Sequence, residues 1–444
     1  MSKLEAIPPT AALRGTAHTA LRIFIGALIC ASGACAAPIA DAASAPIDLP
    51  PVGLRAQDLA LIINDADPVS IEVGRYYAQQ RGIGVERVIH VRFPAAQASI
   101  SAADFEALSA QLRAKLPVAV QAYALAWTLP YRVECMSITS AFAFGFDPAH
   151  CAEGCKPTKR SPYFDSPSNA PFTDLGLRPA MLLAGKTVDD AKALIDRGVR
   201  SDGRWPDGAA YLLNTSDRAR NVRAVSYDDT RARLDSAYPI RRIDGDALED
   251  VQDVMFYFSG VSRVSGMASN RFFDGAIADH LTSFGGLLDE SPQSTALEWL
   301  AAGATGSYGT TSEPCNYRAK FPEISVVMGH YLGGETLIEA YWKSVRMPGQ
   351  GVFVGEPLAR PFGGVRVLRN GADMRVLTRS LRPGLYLLQH AAGRVGPYRT
   401  QSQLAVARYG VSELRLPVAA TGYYRLLPVY PTRPVAASGP SAAR

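Results

Sequence analysis

Short apolar runs alternate with stretches of helical period over the first 360 residues. The runs at Leu59–Ile63, Val88–Phe93, Tyr123–Trp127, Met181–Ala184, Ala209–Leu213 and Val254–Phe258 have the length and β-branched or aromatic content of buried strands. Between the first two, Ile71, Val73, Tyr76 and Tyr77 fit a helix that Asp67 caps, Pro68 begins and Gly82 stops. Phe105, Leu108 and Leu112 predict a second helix over 102–115. Thr187-Val188-Asp189-Asp190 opens another with a capping-box pattern, closed by Gly198. A central stretch from Asp253 to Tyr308 repeats the grammar: a strand ending at Ser259-Gly260, a polar segment punctuated by glycine, a helical pattern through Ala296, Leu297, Trp299 and Leu300, and a run closing at Tyr308. Helices over 324–331 and 336–345 and a run over 352–358 follow. Strands separated by helices predict an α/β domain over 56–360 with a mainly parallel sheet.

The pattern breaks twice. Residues 145–179 hold six prolines and the loop Cys151-Ala-Glu-Gly-Cys155, which marks an insertion. From Pro361 to about 432, short alternating segments separated by Gly and Pro turns predict a small β-sandwich, and the Ala/Ser/Pro tail at 433–444 is expected to be disordered.

At the N-terminus, Arg14 and Arg22 precede a short apolar run that ends in Ala34-Cys35-Ala36, a small-x-small cleavage pattern. Residues 1–36 are therefore expected to be a signal peptide and 37–55 an exposed leader, leaving an exported chain, periplasmic or extracellular, without a membrane span. Composition supports a globular class: 444 residues, 48% apolar and 20% charged. A net charge of +5 with no basic–aromatic strip argues against nucleic-acid binding. Cys135, Cys151, Cys155 and Cys315 remain after cleavage. An oxidising compartment permits two disulfides, with Cys151–Cys155 closing the small loop and leaving Cys135 with Cys315.

Several segments carry a resemblance: NDADPVSIEVGRYYAQQRGI, ALAWTLPYRV, DDAKALIDRGV, ADHLTSFGG, WLAAGATGSYGTTSEPCNYRAKFP, EAYWKSV and GEPLARPF. Over residues 57–363 the chain resembles a family of secreted bacterial proteins from genomes with exosortase and PEP-CTERM sorting. More distantly it is similar to gingipain-type cysteine peptidases. That resemblance implies a caspase-like α/β domain followed by an immunoglobulin-like module. It also implies a His after the strand Val254–Phe258 and a nucleophilic Cys near Leu281–Ser283. Val261 stands at the expected His position, and no cysteine lies at 281–283. The peptidase mechanism, which needs a thiolate beside an imidazole, is thus not carried over.

In open α/β sheets chemistry gathers where strands end. By that rule Asn64, Asp65, the Gly260 turn, Asp279 to Ser283 and Glu313 to Asn316 are expected to converge in one cleft. Two hydrolytic sets are conceivable there: Ser283 with His280 on one helical face and Asp279 adjacent, or Cys315 with His280 oriented by Glu313. Asp65, Asp67, Asp279 and Glu313 are oxygen donors of the type that hold a hard cation, though carboxylates at strand ends more often act as caps. Asn64, Asp65, Tyr131 and Asn316 are candidate binding residues. The sequence calls for no cofactor or metal and sets no oligomeric state. The reading it favours is a non-peptidase binding or envelope-assembly factor whose partner is a protein or a polysaccharide. A hydrolase using His280 with Cys315 or Ser283 is the alternative.

Overall fold

Burial on both faces decides which runs become central strands. Leu59–Asn64 (β1) and Val254–Ser259 (β7) are buried at every residue, as apolar runs between two helical layers must be. With Val88–Val91 (β2), Ala122–Leu125 (β3), Ala180–Leu182 (β4), Ala209–Asn214 (β5), Ile240–Asp244 (β6), Phe272–His280 (β8), Gly306–Thr310 (β9) and Gly351–Gly355 (β10) they form one ten-stranded sheet. Its order is β6-β5-β7-β8-β9-β10-β4-β3-β1-β2. The pairs on either arm are parallel, and β9 and β10 run antiparallel, with Gly306 opposite Gly355 and Thr310 opposite Gly351.

The helices are Pro68–Arg81 (α1), Ala102–Arg113 (α2), Ile138–Phe144 (α3), Pro171–Leu175 (α4), Val188–Ser201 (α5), Tyr227–Leu234 (α6), Ala296–Ala301 (α7), Ile324–Leu332 (α8) and Leu337–Ser344 (α9). Local signals set their ends. The Asp67 carboxylate accepts from the Val69 amide, Pro68 sits in the first turn, and Gly82 takes the left-handed conformation at φ 61°. Thr187 and Asp190 form a reciprocal capping box at the start of α5.

This computed structural model describes residues 47–152, 155–370, 373–417 and 422–429. The expected signal peptide, the first part of the leader and the C-terminal tail lie outside the described residues. After β10 come two small sheets. One joins Val365–Asn370, Asp373–Thr378 and Ser412–Pro417. The other joins Gly384–Ala391, Arg399–Val406 and Tyr423–Val429. Met374, Val376, Leu414, Leu416, Tyr386 and Leu426 share one apolar core between them.

The leader differs from expectation. Ile47–Asp48 pairs in parallel with Tyr424–Arg425, Ile47 is buried in that same core, and the Leu54 amide donates to Glu339 at 2.9 Å. The reason is composition: Ile47, Leu49 and Leu54 punctuate the Pro/Asp-rich stretch and have apolar surface to bury.

The disulfides also differ. Cys135 bonds to Cys151, and Cys155 bonds to Cys315. The expected Cys151–Cys155 link would have closed only the insertion on itself; the observed pairs instead fix both ends of CAEGC to the body of the fold. No helix among the described residues is long and apolar enough to cross a membrane.

Candidate functional site

The loops that leave β3, β8 and β9 meet on one rim of the sheet. The Tyr131 hydroxyl donates to Asp289 at 2.8 Å, the Ser312 hydroxyl to the Cys135 carbonyl at 2.9 Å, and the Arg132 guanidinium approaches the Thr311 carbonyl at 3.4 Å. Within that rim a cleft of about 160 Å³ is lined by Ala219, Arg220, Leu281, Thr282, Ser283, Glu313, Cys315 and Asn316. The segments 281–283 and 313–316 therefore converge as expected.

Asn64 and Asp65 do not join them. From β9 to β1 is four strand spacings, roughly 19 Å. Asn64 is wholly buried and spends its side chain on the chain ends around it: Oδ1 accepts from the Ala66 and Phe93 amides, and Nδ2 donates to the Phe93 carbonyl. Asp65 lies 2.6 Å from His90 Nδ1 near the far edge of the sheet. With Asp67 serving as a cap, the four carboxylates proposed for a cation are dispersed.

Glu313 organises the cleft. Its Oε1 accepts from the Ser283 hydroxyl at 3.0 Å and from the Cys315 amide at 2.6 Å. Opposite, Arg220 Nε donates to the Thr282 hydroxyl, which donates to Gln293 Oε1 at 2.9 Å. Gln293 also takes the Phe284 amide. Ser283 thus faces a carboxylate and no imidazole. Cys315, at φ 52°, has its sulfur in the bond to Cys155.

The two remaining candidates are separated by the strand itself. Residues 279 and 280 end β8, where successive side chains leave on opposite faces. Asp279, wholly buried, points to the layer of α8 and α9. There Arg223 Nη1 donates to its Oδ1 at 2.7 Å, and the Tyr341 hydroxyl lies 3.5 Å from Oδ2. Arg223 also donates from Nη2 to the Ser259 carbonyl at 2.8 Å. Burial raises the Asp279 pKa against the pull of Arg223.

His280, 1% exposed, points the other way, beneath Trp299. The Trp299 indole N–H donates to its Nδ1 at 2.9 Å. This leaves the ring proton on Nε2. Burial, helped by the positive charge of Arg223, pushes its pKa down to about 3. A ring whose acceptor nitrogen is already bonded and whose charged form is disfavoured is not placed to take a proton from Ser283 or Cys315. The expectation of one helical face for His280 and Ser283 fails for the same reason: β8 runs through His280, and a turn follows it.

Three residues carry this geometry without having been singled out in the sequence. Arg223 and Arg220 sit in a charged segment with no apolar period, and their partners lie 56 and 62 positions away. Trp299 has an ordinary core position on α7. Only the fold brings them to the rim. The chain matches no protein-family model, and no curated protein matches it.

Proposed function

We propose that this chain is an exported, gingipain-like protein that has kept a caspase-like frame and lacks its chemistry, and that it acts by binding. Its partner is a protein or an envelope polysaccharide, in the setting of exosortase and PEP-CTERM sorting that the resemblance over residues 57–363 suggests. The immunoglobulin-like reading of the C-terminal sheets belongs to the same proposal. An α/β sheet followed by paired small β-sheets supports the frame. Two disulfides support an oxidising compartment.

One observation carries the choice of binding over hydrolysis: each candidate nucleophile is already engaged. Cys315 is in a disulfide, Ser283 donates to Glu313, and His280, the base either would need, already accepts the Trp299 indole N–H on Nδ1.

Thiol titration of the native, unreduced mature chain, together with labelling by a fluorophosphonate and a thiol-directed electrophile, tests the reading. No free thiol and no label at Ser283 or Cys315 are expected. Stoichiometric labelling at either residue would replace the binding reading with the hydrolase one.

A further inference from the structure

Behind Asp279, on the side of α8 and α9, lies a second and larger cavity of about 350 Å³, the lower end of the size range of small-molecule sites. Its polar lining is dominated by guanidinium groups: Arg223, Arg318 and Arg346, against one carboxylate, Glu323. Two of the three positive charges have an acidic partner. Arg223 is held by Asp279 at 2.7 Å. Arg346 reaches Glu323 at 3.2 Å and stacks over Phe164. Arg318 has no ion pair among the described residues, so the cavity keeps a surplus cation.

Two further features point the same way. Helix α8 begins at this wall, and its N-cap residue, Glu323, makes no side-chain cap, which leaves the positive end of the helix toward the cavity. Arg223 is 4% exposed, and its Nε, buried among the lining groups, has no hydrogen-bond partner. An unpaired buried donor is costly unless something accepts from it. The rest of the lining is two serines, Ser226 and Ser344, and the apolar Ala319, Phe321, Pro322 and Ile324.

We infer that this cavity is a binding site for a small organic oxyanion, a carboxylate or phosphate head on a compact apolar body. The head lies between Arg318 and Arg346 at the start of α8, where a planar guanidinium fork matches either oxyanion. The body rests on Phe321 and Pro322. The inference is independent of the binding reading above, since its cavity and the rim cleft share no lining residue.

Calorimetric titration of the oxidised mature chain at low ionic strength tests it, with phenyl phosphate, benzoate and benzyl alcohol as probes. These share the ring and differ in the head group. Saturable one-to-one binding of phenyl phosphate or benzoate is expected, with benzyl alcohol at least ~10-fold weaker, as one charge-assisted contact implies. Whichever anion binds more tightly identifies the head group. The variant R318A/R346A should lose at least ~10-fold in affinity and unfold at an unchanged temperature, because both side chains are exposed. Equal binding of benzyl alcohol, equal binding by the variant, or no saturable binding of either anion would each overturn the inference.

Discussion

Two buried histidines, fifty residues apart, show opposite fates. His280 sits at the end of β8 with a neutral donor, Trp299, on one nitrogen and the cation Arg223 nearby; burial and that charge push its pKa down to about 3. His330, on α8, is held between carboxylates: Nδ1 lies 2.9 Å from Glu335 and Nε2 3.1 Å from Asp165. Burial acts to lower the His330 pKa as well, but Glu335 and Asp165 outweigh it, so it stands above the usual value. Glu335 in turn also holds Lys343 at 2.6 Å and pairs with Arg382 from the C-terminal sheets. Burial alone therefore does not set the charge of an imidazole. What decides is whether a counter-charge was buried with it.

The largest way to break this contrast is Glu335→Gln. It leaves His330, Lys343 and Arg382 around a neutral amide and should cost about 3–5 kcal/mol in urea unfolding, the cost of stranding buried charge. Next, Asp279→Asn leaves Arg223 buried without its counter-ion and should cost about 3 kcal/mol by the same measurement. If it were neutral, Arg223 would have found another partner.

The histidines themselves then separate by pH. Between about pH 6.5 and 3 the unfolded chain binds a proton that folded His280 refuses, so His280 makes the fold lose stability as pH falls through that window. His280→Phe should flatten the acid side of the stability profile. His330 works in reverse: its contribution is complete below about pH 6.5 and is lost as pH rises through its raised folded pKa. His330→Gln should flatten the neutral-to-alkaline side. Unfolding curves at unit pH steps from 4 to 9 check both; parallel profiles for the two variants would refute the contrast. The smallest effect is expected from Trp299→Phe, which removes the donor to His280 Nδ1 and should cost about 1–2 kcal/mol in the same assay.

What could be read from the sequence was whatever is decided within a few residues. Asp67, Pro68 and Gly82 announced α1, and Thr187 with Asp190 announced α5, because caps are short-range chemistry. The alternation of strand and helix gave the α/β class. Strand β8 was read as polar loop, since Asp274, Gly275, Asp279 and His280 interrupt its apolar pattern. Asp279 and His280 are buried only because Arg223 and Trp299 arrive from elsewhere, and the half-exposed Asp274 meets Arg200. The same limit hid strand β6, whose Arg241 and Arg242 face solvent on an edge. Sheet order decided the site. The rule that loops gather where strands end is local to neighbouring strands, and β1 is four places from β9. The disulfides needed the fold as well, because adjacency along CAEGC competes with adjacency in space.

The pairing of Ile47–Asp48 with Tyr424–Arg425 joins the first and last described strands of the chain, and it does so in parallel. In that geometry a pull applied to the two ends of the described chain acts along both strands in opposite directions. Their hydrogen bonds are loaded together in shear instead of opening one after another. Ile47, anchored in the core between the small sheets, adds side-chain grip to that clasp. A molecule tethered at both ends would thus transmit tension through the small sheets first, leaving the ten-stranded sheet and its rim unloaded until the clasp gives way.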